Sequence, residues 1–86
     1  VYYPSPITGN QVSVRYYSAS DRPAELVIYN LSGELVLEAS LQSEADRMNE
    51  HTLELDVASG LYVARLVRET AAGSASTEVR TLAVAR

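Results

Sequence analysis

The stretch QVSVRYYS, residues 11–18, puts Val12, Val14 and Tyr16 on one side of an extended chain and Ser13, Arg15 and Tyr17 on the other. Side chains of a strand change face at every residue, whereas those of a helix return with a period of 3.6, so this pattern selects a strand with one buried and one wet face. The alternation returns in AELVIYN, ELVLEASL, HTLELDV and LYVARLVRE. Between these runs stand SDRP, NLSG, ASG and TAAGSAS, each built from residues that favour turns. Short alternating segments with turns at such intervals specify an antiparallel β-sandwich.

Taken in order, Val1 to Tyr3 reads as a short first strand, ended by PSPITGN, in which Pro4 and Pro6 cannot donate to a ladder. In AELVIYN, Leu26 and Ile28 are expected inward, with Val27 and Tyr29 on a partly covered outer face. The next run places Leu35, Leu37, Ala39 and Leu41 together, and HTLELDV places Leu53, Leu55 and Val57 together. The polar segment QSEADRMNE, residues 42–50, has Ser43 followed three residues later by Asp46, a weak helix-start pattern, and reads as a long connection with at most one helical turn. The last strand, from Thr77 to Arg86, changes phase, since Val79 belongs to one face while Leu82 and Val84 belong to the other. A β-bulge near Arg80 or Thr81 would produce that change. The expected fold is all-β, an immunoglobulin-like (fibronectin III-like) antiparallel sandwich of about seven strands, forming one domain over residues 1–86.

Composition narrows the function classes. With no cysteine there is neither a disulfide framework nor a thiolate metal site. A net charge of −4, with seven arginines and no lysine, lacks the basic excess of a nucleic-acid binder. No apolar run approaches the roughly 20 residues that span a bilayer, and no signal peptide opens the chain. The chain begins VYYP without a methionine, which is expected of a piece of a longer polypeptide.

Catalytic and metal chemistry find little to work with. His51 is the one histidine, without the H-x-x-x-H spacing or cysteines of a zinc site, and reads as a surface strand residue. Glu25, Glu54 and Asp56 alternate with apolar positions as solvent-face charges do. No D-x-D-x-D-G loop exists, which leaves Glu44, Asp46 and Glu50 as the least poor calcium candidates. No serine lies in G-x-S-x-G, and one histidine makes no convincing triad. No catalytic residue, metal ligand or cofactor is therefore assigned.

The structural candidates are in the turns. Gly33 in NLSG is expected at positive φ, and Gly60 opens the run toward Tyr62. Asn30-Leu31-Ser32 matches a glycosylation sequon, but a turn asparagine bonding its own backbone is the better account. Tyr62, sharing a face with Ala64 and Leu66, is expected to be buried and to act as the tyrosine corner of immunoglobulin-like folds does. The six tyrosines are the only aromatics, and they read as core filler in place of Phe and Trp rather than as a platform for sugars.

The segments YYPSP, VSVRYY, LVIYNLSGELV, ASGLYVARL and VRTLAVAR occur in the order and spacing of a bacterial family. The chain resembles the type A C-terminal sorting domains of the type IX secretion system and the related immunoglobulin-like domain of the flagellar hook-capping protein. It departs from that pattern at Ser5, where the family commonly has Asn, and at Arg80 and Arg86, where lysines are common. The resemblance implies a secreted or surface-displayed bacterial protein whose last domain this is, read by outer-membrane secretion machinery. It makes Arg80 and Arg86 the candidate recognition charges and upstream domains of the same polypeptide its covalent partners. Two other functions remain open at this point: a structural subunit or spacer self-associating through sheet edges, and a carbohydrate-binding module tethering an enzyme.

Overall fold

The computed structural model describes residue 3, residues 7–70 and residues 72–85. Among them are six strands and no helix: β1 (Gln11–Ser18), β2 (Ala24–Asn30), β3 (Leu35–Leu41), β4 (Arg47–Glu54), β5 (Gly60–Glu69) and β6 (Ala75–Val84). They form an antiparallel pair, β1-β4, facing a four-stranded sheet in the order β3-β2-β5-β6. The architecture is the expected all-β sandwich, with six strands where about seven are read from the sequence. The expected first strand lies, apart from Tyr3, outside the described residues. No described helix is long and apolar enough to cross a membrane.

The core is the sum of the alternating faces. Val12, Val14 and Tyr16 of β1 meet Leu26 and Ile28 of β2, Tyr62, Ala64 and Leu66 of β5, and Leu82 and Val84 of β6, all buried. Val27 points outward, yet its place on a central strand leaves it 8% exposed, and Tyr29 beside it is half-buried. Ile7 joins the core from the entering chain and forms a parallel bridge with Val84. Its amide donates to the Ala83 carbonyl at 2.8 Å and its carbonyl accepts from the Ala85 amide at 2.9 Å.

Three expectations are corrected. First, β3 carries an irregularity: Ile28 pairs with Leu37, but Tyr29 pairs with Leu35, leaving Val36 as the extra residue. One additional residue reverses the faces beyond it, so Val36 packs on the core and Leu35 turns outward, 53% exposed. Second, β4 begins at Arg47 rather than at His51. Pairing with β1 draws the polar residues into the ladder, with Arg15 facing Glu50 across it in a 3.4 Å salt bridge. The chain enters β4 through Asp46 at φ +59°, and the Asn49 side chain holds the turn, accepting from the Glu44 amide at 2.7 Å and donating to the Glu44 and Arg47 carbonyls.

Third, β6 has no bulge. Its pairing with β5 runs unbroken from Gly60↔Val84 to Glu69↔Ala75. The register stays constant while the covering changes. Leu82 and Val84 face the core, whereas the inward positions Glu78 and Arg80 lie toward the other end of the strand, where side chains remain partly exposed. Val79 consequently faces outward, 55% exposed, and does not complete the core.

Candidate recognition surface

Two turns hold the candidate structural residues. At the β2–β3 connection the Asn30 side-chain oxygen accepts the Ser32 and Glu34 amides at 3.0 and 2.9 Å, and its side-chain amide donates to the Glu34 carboxylate. The Gly33 amide donates to the Asn30 carbonyl at 3.0 Å while Gly33 sits at φ +86°, a region that a side chain would oppose. Asn30 thus accepts three amides of the turn, two through its side chain and one through its carbonyl. At the start of β5 Gly60 has φ +156°, and two residues later the Tyr62 ring enters the core. Its hydroxyl donates to the Ala58 carbonyl at 2.7 Å, a bond back to the preceding segment of the kind a tyrosine corner makes.

The closing strand carries charge on the side where a core would be expected. Arg68 of β5 and Glu78 of β6 form a salt bridge whose side chains are 19% and 23% exposed. Arg68 also reaches the other sheet, donating to the Tyr17 carbonyl at 2.9 Å. Arg80 completes the row, 3.2 Å from the other Glu78 oxygen and donating to the Val79 carbonyl, with half of its side chain exposed. Close by, the Tyr3 hydroxyl is buried with no hydrogen-bond partner among the described residues. Burial, and then the charge of Glu78, push its pKa up to about 12 against an opposing pull from Arg80 and Arg68. Arg86 lies outside the described residues.

Arg68 and Glu78 carry this cluster, and sequence reading did not single them out. A signal existed: Arg68 is in phase with Tyr62, Ala64 and Leu66, and a charge in phase with core residues needs a partner. His51 is a half-buried strand residue at the margin of the core. Its ring stacks on Tyr16 with centroids 6.1 Å apart, and its Nε2 lies 2.7 Å from the Gln42 carbonyl oxygen. The acidic residues of the polar loop are engaged separately: Glu44 pairs with Arg47, Glu50 with Arg15, and Asp46 accepts from the Tyr17 hydroxyl. Glu25 and Glu54 are exposed on outward strand positions and Asp56 is exposed on the segment after β4. Among the described residues no three potential ligands come together.

The tyrosines are likewise dispersed. Tyr3, Tyr16 and Tyr62 are buried, Tyr29 is half-buried on the outer face of the large sheet, and Tyr17 is exposed on the outer face of the small one. No two of the described tyrosines form an exposed stacking platform. The outer face of the large sheet is instead mainly aliphatic, with Leu35, Leu61 and Val79 each at least half exposed and Arg65 lying over the Tyr29 ring.

A family model, described as a secretion system C-terminal sorting domain, matches residues 1–79. Among curated proteins nothing matches. Among solved structures, the crystal structure of CopC from Methylosinus trichosporium OB3b is similar, with a TM-score of 0.68 and 21% identity over 96% of this chain and 84% of that one. At that identity the likeness describes the sandwich alone.

Proposed function

The chain belongs to the secretion system C-terminal sorting domain family, and on that premise we propose that the sandwich is a non-catalytic handle, read in its folded form by outer-membrane export machinery. Membership makes it a type IX sorting domain, and its polypeptide one that is secreted or anchored at the cell surface. The match over residues 1–79 carries the reading. The fold supports it: β6 is both the closing strand and the wall of the core through Leu82 and Val84, so the last strand is presented only by a folded domain. Arg80, half exposed, and Arg86 supply fixed charge at the end of the chain, and cargo is the upstream part of the same polypeptide.

The rival readings have less support. Glu78 and Arg80 point inward from an edge strand, an arrangement that discourages strand addition at that edge. The dispersed tyrosines disfavour sugar stacking.

The test is delivery of a fused cargo to the surface of a bacterium with type IX secretion. Deleting Thr81 to Arg86 removes a core wall and should abolish both folding and delivery. Replacing Arg80, whose side chain is half exposed, with Gln should change stability by less than about 0.5 kcal/mol, and replacing Arg80 and Arg86 together with Gln should reduce delivery. Normal delivery after the deletion would refute the sorting function.

A further inference from the structure

The outer face of the large sheet combines exposed aliphatic area with a cation that has no carboxylate partner among the described residues. It holds three of the most exposed large aliphatic residues, Leu35, Leu61 and Val79, at 53%, 50% and 55%. They are continuous: Leu35 pairs with Tyr29, Tyr29 with Val63, and Arg65 with Val79, while Leu61 follows Val63's face two residues back on β5. Exposed apolar patches around an aromatic and an arginine have the composition of interface centres, where Tyr and Arg are enriched and other charges depleted.

The second property is electrostatic. Arg15, Arg22, Arg47, Arg68 and Arg80 each pair with a carboxylate. Arg65 is the described arginine with no carboxylate partner among the described residues. It lies instead over Tyr29, its guanidinium carbon 5.8 Å from the ring centroid, and donates to the Tyr29 hydroxyl at 3.4 Å. Glu38, on the same cross-strand row, stands beyond Val27. In a chain of net charge −4, the central cation of this face thus contacts an aromatic ring rather than a carboxylate among the described residues.

We propose that this face, centred on Arg65 and Tyr29, is the docking surface for a component of the export machinery that presents an apolar patch bearing an Asp or Glu opposite Arg65. The proposal rests on the sorting function above and assigns the contact to a face on the opposite side of the sheet from Arg80. A second copy of the chain is the poorer occupant, because a two-fold axis through the patch would bring Arg65 against its own equivalent.

The test uses the native secreted polypeptide in a bacterium with type IX secretion. Arg65→Glu and Leu61→Asp should each lower surface delivery by at least about tenfold, the scale of losing a desolvated charge partner or a central apolar contact. Met48→Asp, at an exposed site on the outer face of the other sheet, should deliver normally. Thermal melts should remain close to wild type; if Leu61→Asp unfolds the domain, Arg65→Gln replaces it and should lower delivery in the same direction. Wild-type delivery of the Arg65 variants overturns the docking face while leaving sorting intact, whereas normal delivery after removal of Thr81 to Arg86 overturns sorting itself. A wild-type dimer in sedimentation that Arg65→Gln strengthens or Leu61→Asp dissociates would identify a second copy as the occupant and overturn the proposal.

Discussion

The Tyr62 hydroxyl donates to the Ala58 carbonyl at 2.7 Å, tying the first residues of β5 to the segment that leads into it. The ring itself is 7% exposed and shares its face with Ala64 and Leu66, so one side chain fills core and fixes the loop at the same time. These two contributions separate by substitution. Tyr62→Phe keeps the ring and should cost about 1 kcal/mol for the lost hydrogen bond. Tyr62→Ala should cost about 3–5 kcal/mol, the range for large aromatic truncations, which is enough to unfold many domains of this size. Urea melts of the two variants measure both numbers; equal losses would mean that the ring contributes nothing to packing.

At Gly33 the cost of a side chain is purely conformational. A Cβ built there meets nothing within 4 Å, but φ is +86°. Gly33→Ala should therefore destabilise by more than about 1 kcal/mol, and Gly33→Asn by less, since asparagine tolerates the left-handed region. Thermal melts showing Ala and Asn equally harmful would point to a contact rather than to backbone strain.

Tyr3 gives a prediction of opposite sign. Its buried hydroxyl lacks a partner among the described residues, so Tyr3→Phe should leave stability unchanged or raise it by about 1 kcal/mol. The wild type should also weaken in alkali. The folded pKa of about 12 exceeds the unfolded value near 10, so the unfolded chain loses its proton first. The contribution is fully present below pH 10 and is lost as pH rises from 10 to 12. The difference between wild type and Tyr3→Phe in urea melts at pH 8 and pH 11.5 reads this term directly, and a difference that does not change with pH would place the phenol in water.

Glu78 bridges two arginines, one of them largely covered. Glu78→Ala should cost about 1–3 kcal/mol because Arg68 keeps its charge without its carboxylate. Removing both charges, as Arg68→Met with Glu78→Leu, should recover most of that loss. A double variant as unstable as the single one would assign the loss to strand packing rather than to the ion pair.

The sequence carried β1 and β5 without ambiguity. Their side chains alternate over their length, and one face of each meets a core that buries Val12, Val14, Tyr16, Tyr62, Ala64 and Leu66. The turn at Asn30 and Gly33 was equally legible, because its chemistry is local: an asparagine bonding amides two and four residues on, and a glycine at positive φ. The candidate recognition surface was less so. Arg80 stands out as a charge near the chain's end, but that it turns inward toward Glu78, and that Arg65 has no carboxylate partner among the described residues, depends on which strands neighbour which.

What the sequence determined alone is thus the periodicity: which residues alternate, where the chain turns, and that the result is an all-β sandwich. Tertiary structure decided the rest, since covering is a property of two surfaces and not of one strand. The phase change in β6 looks like a bulge in sequence, yet the ladder to β5 is unbroken and the apolar pattern changes because the opposing cover does. In β3 the reverse holds: a regular-looking run hides an extra residue at Val36, which shows only in the pairing with β2. Likewise Arg47, Asn49 and Glu50 are polar and lack strand character of their own, and they become strand because β1 offers them a row of hydrogen bonds and Arg15 a charge to meet Glu50. Local pattern sets what a segment can bury, and only its neighbours set what it does bury.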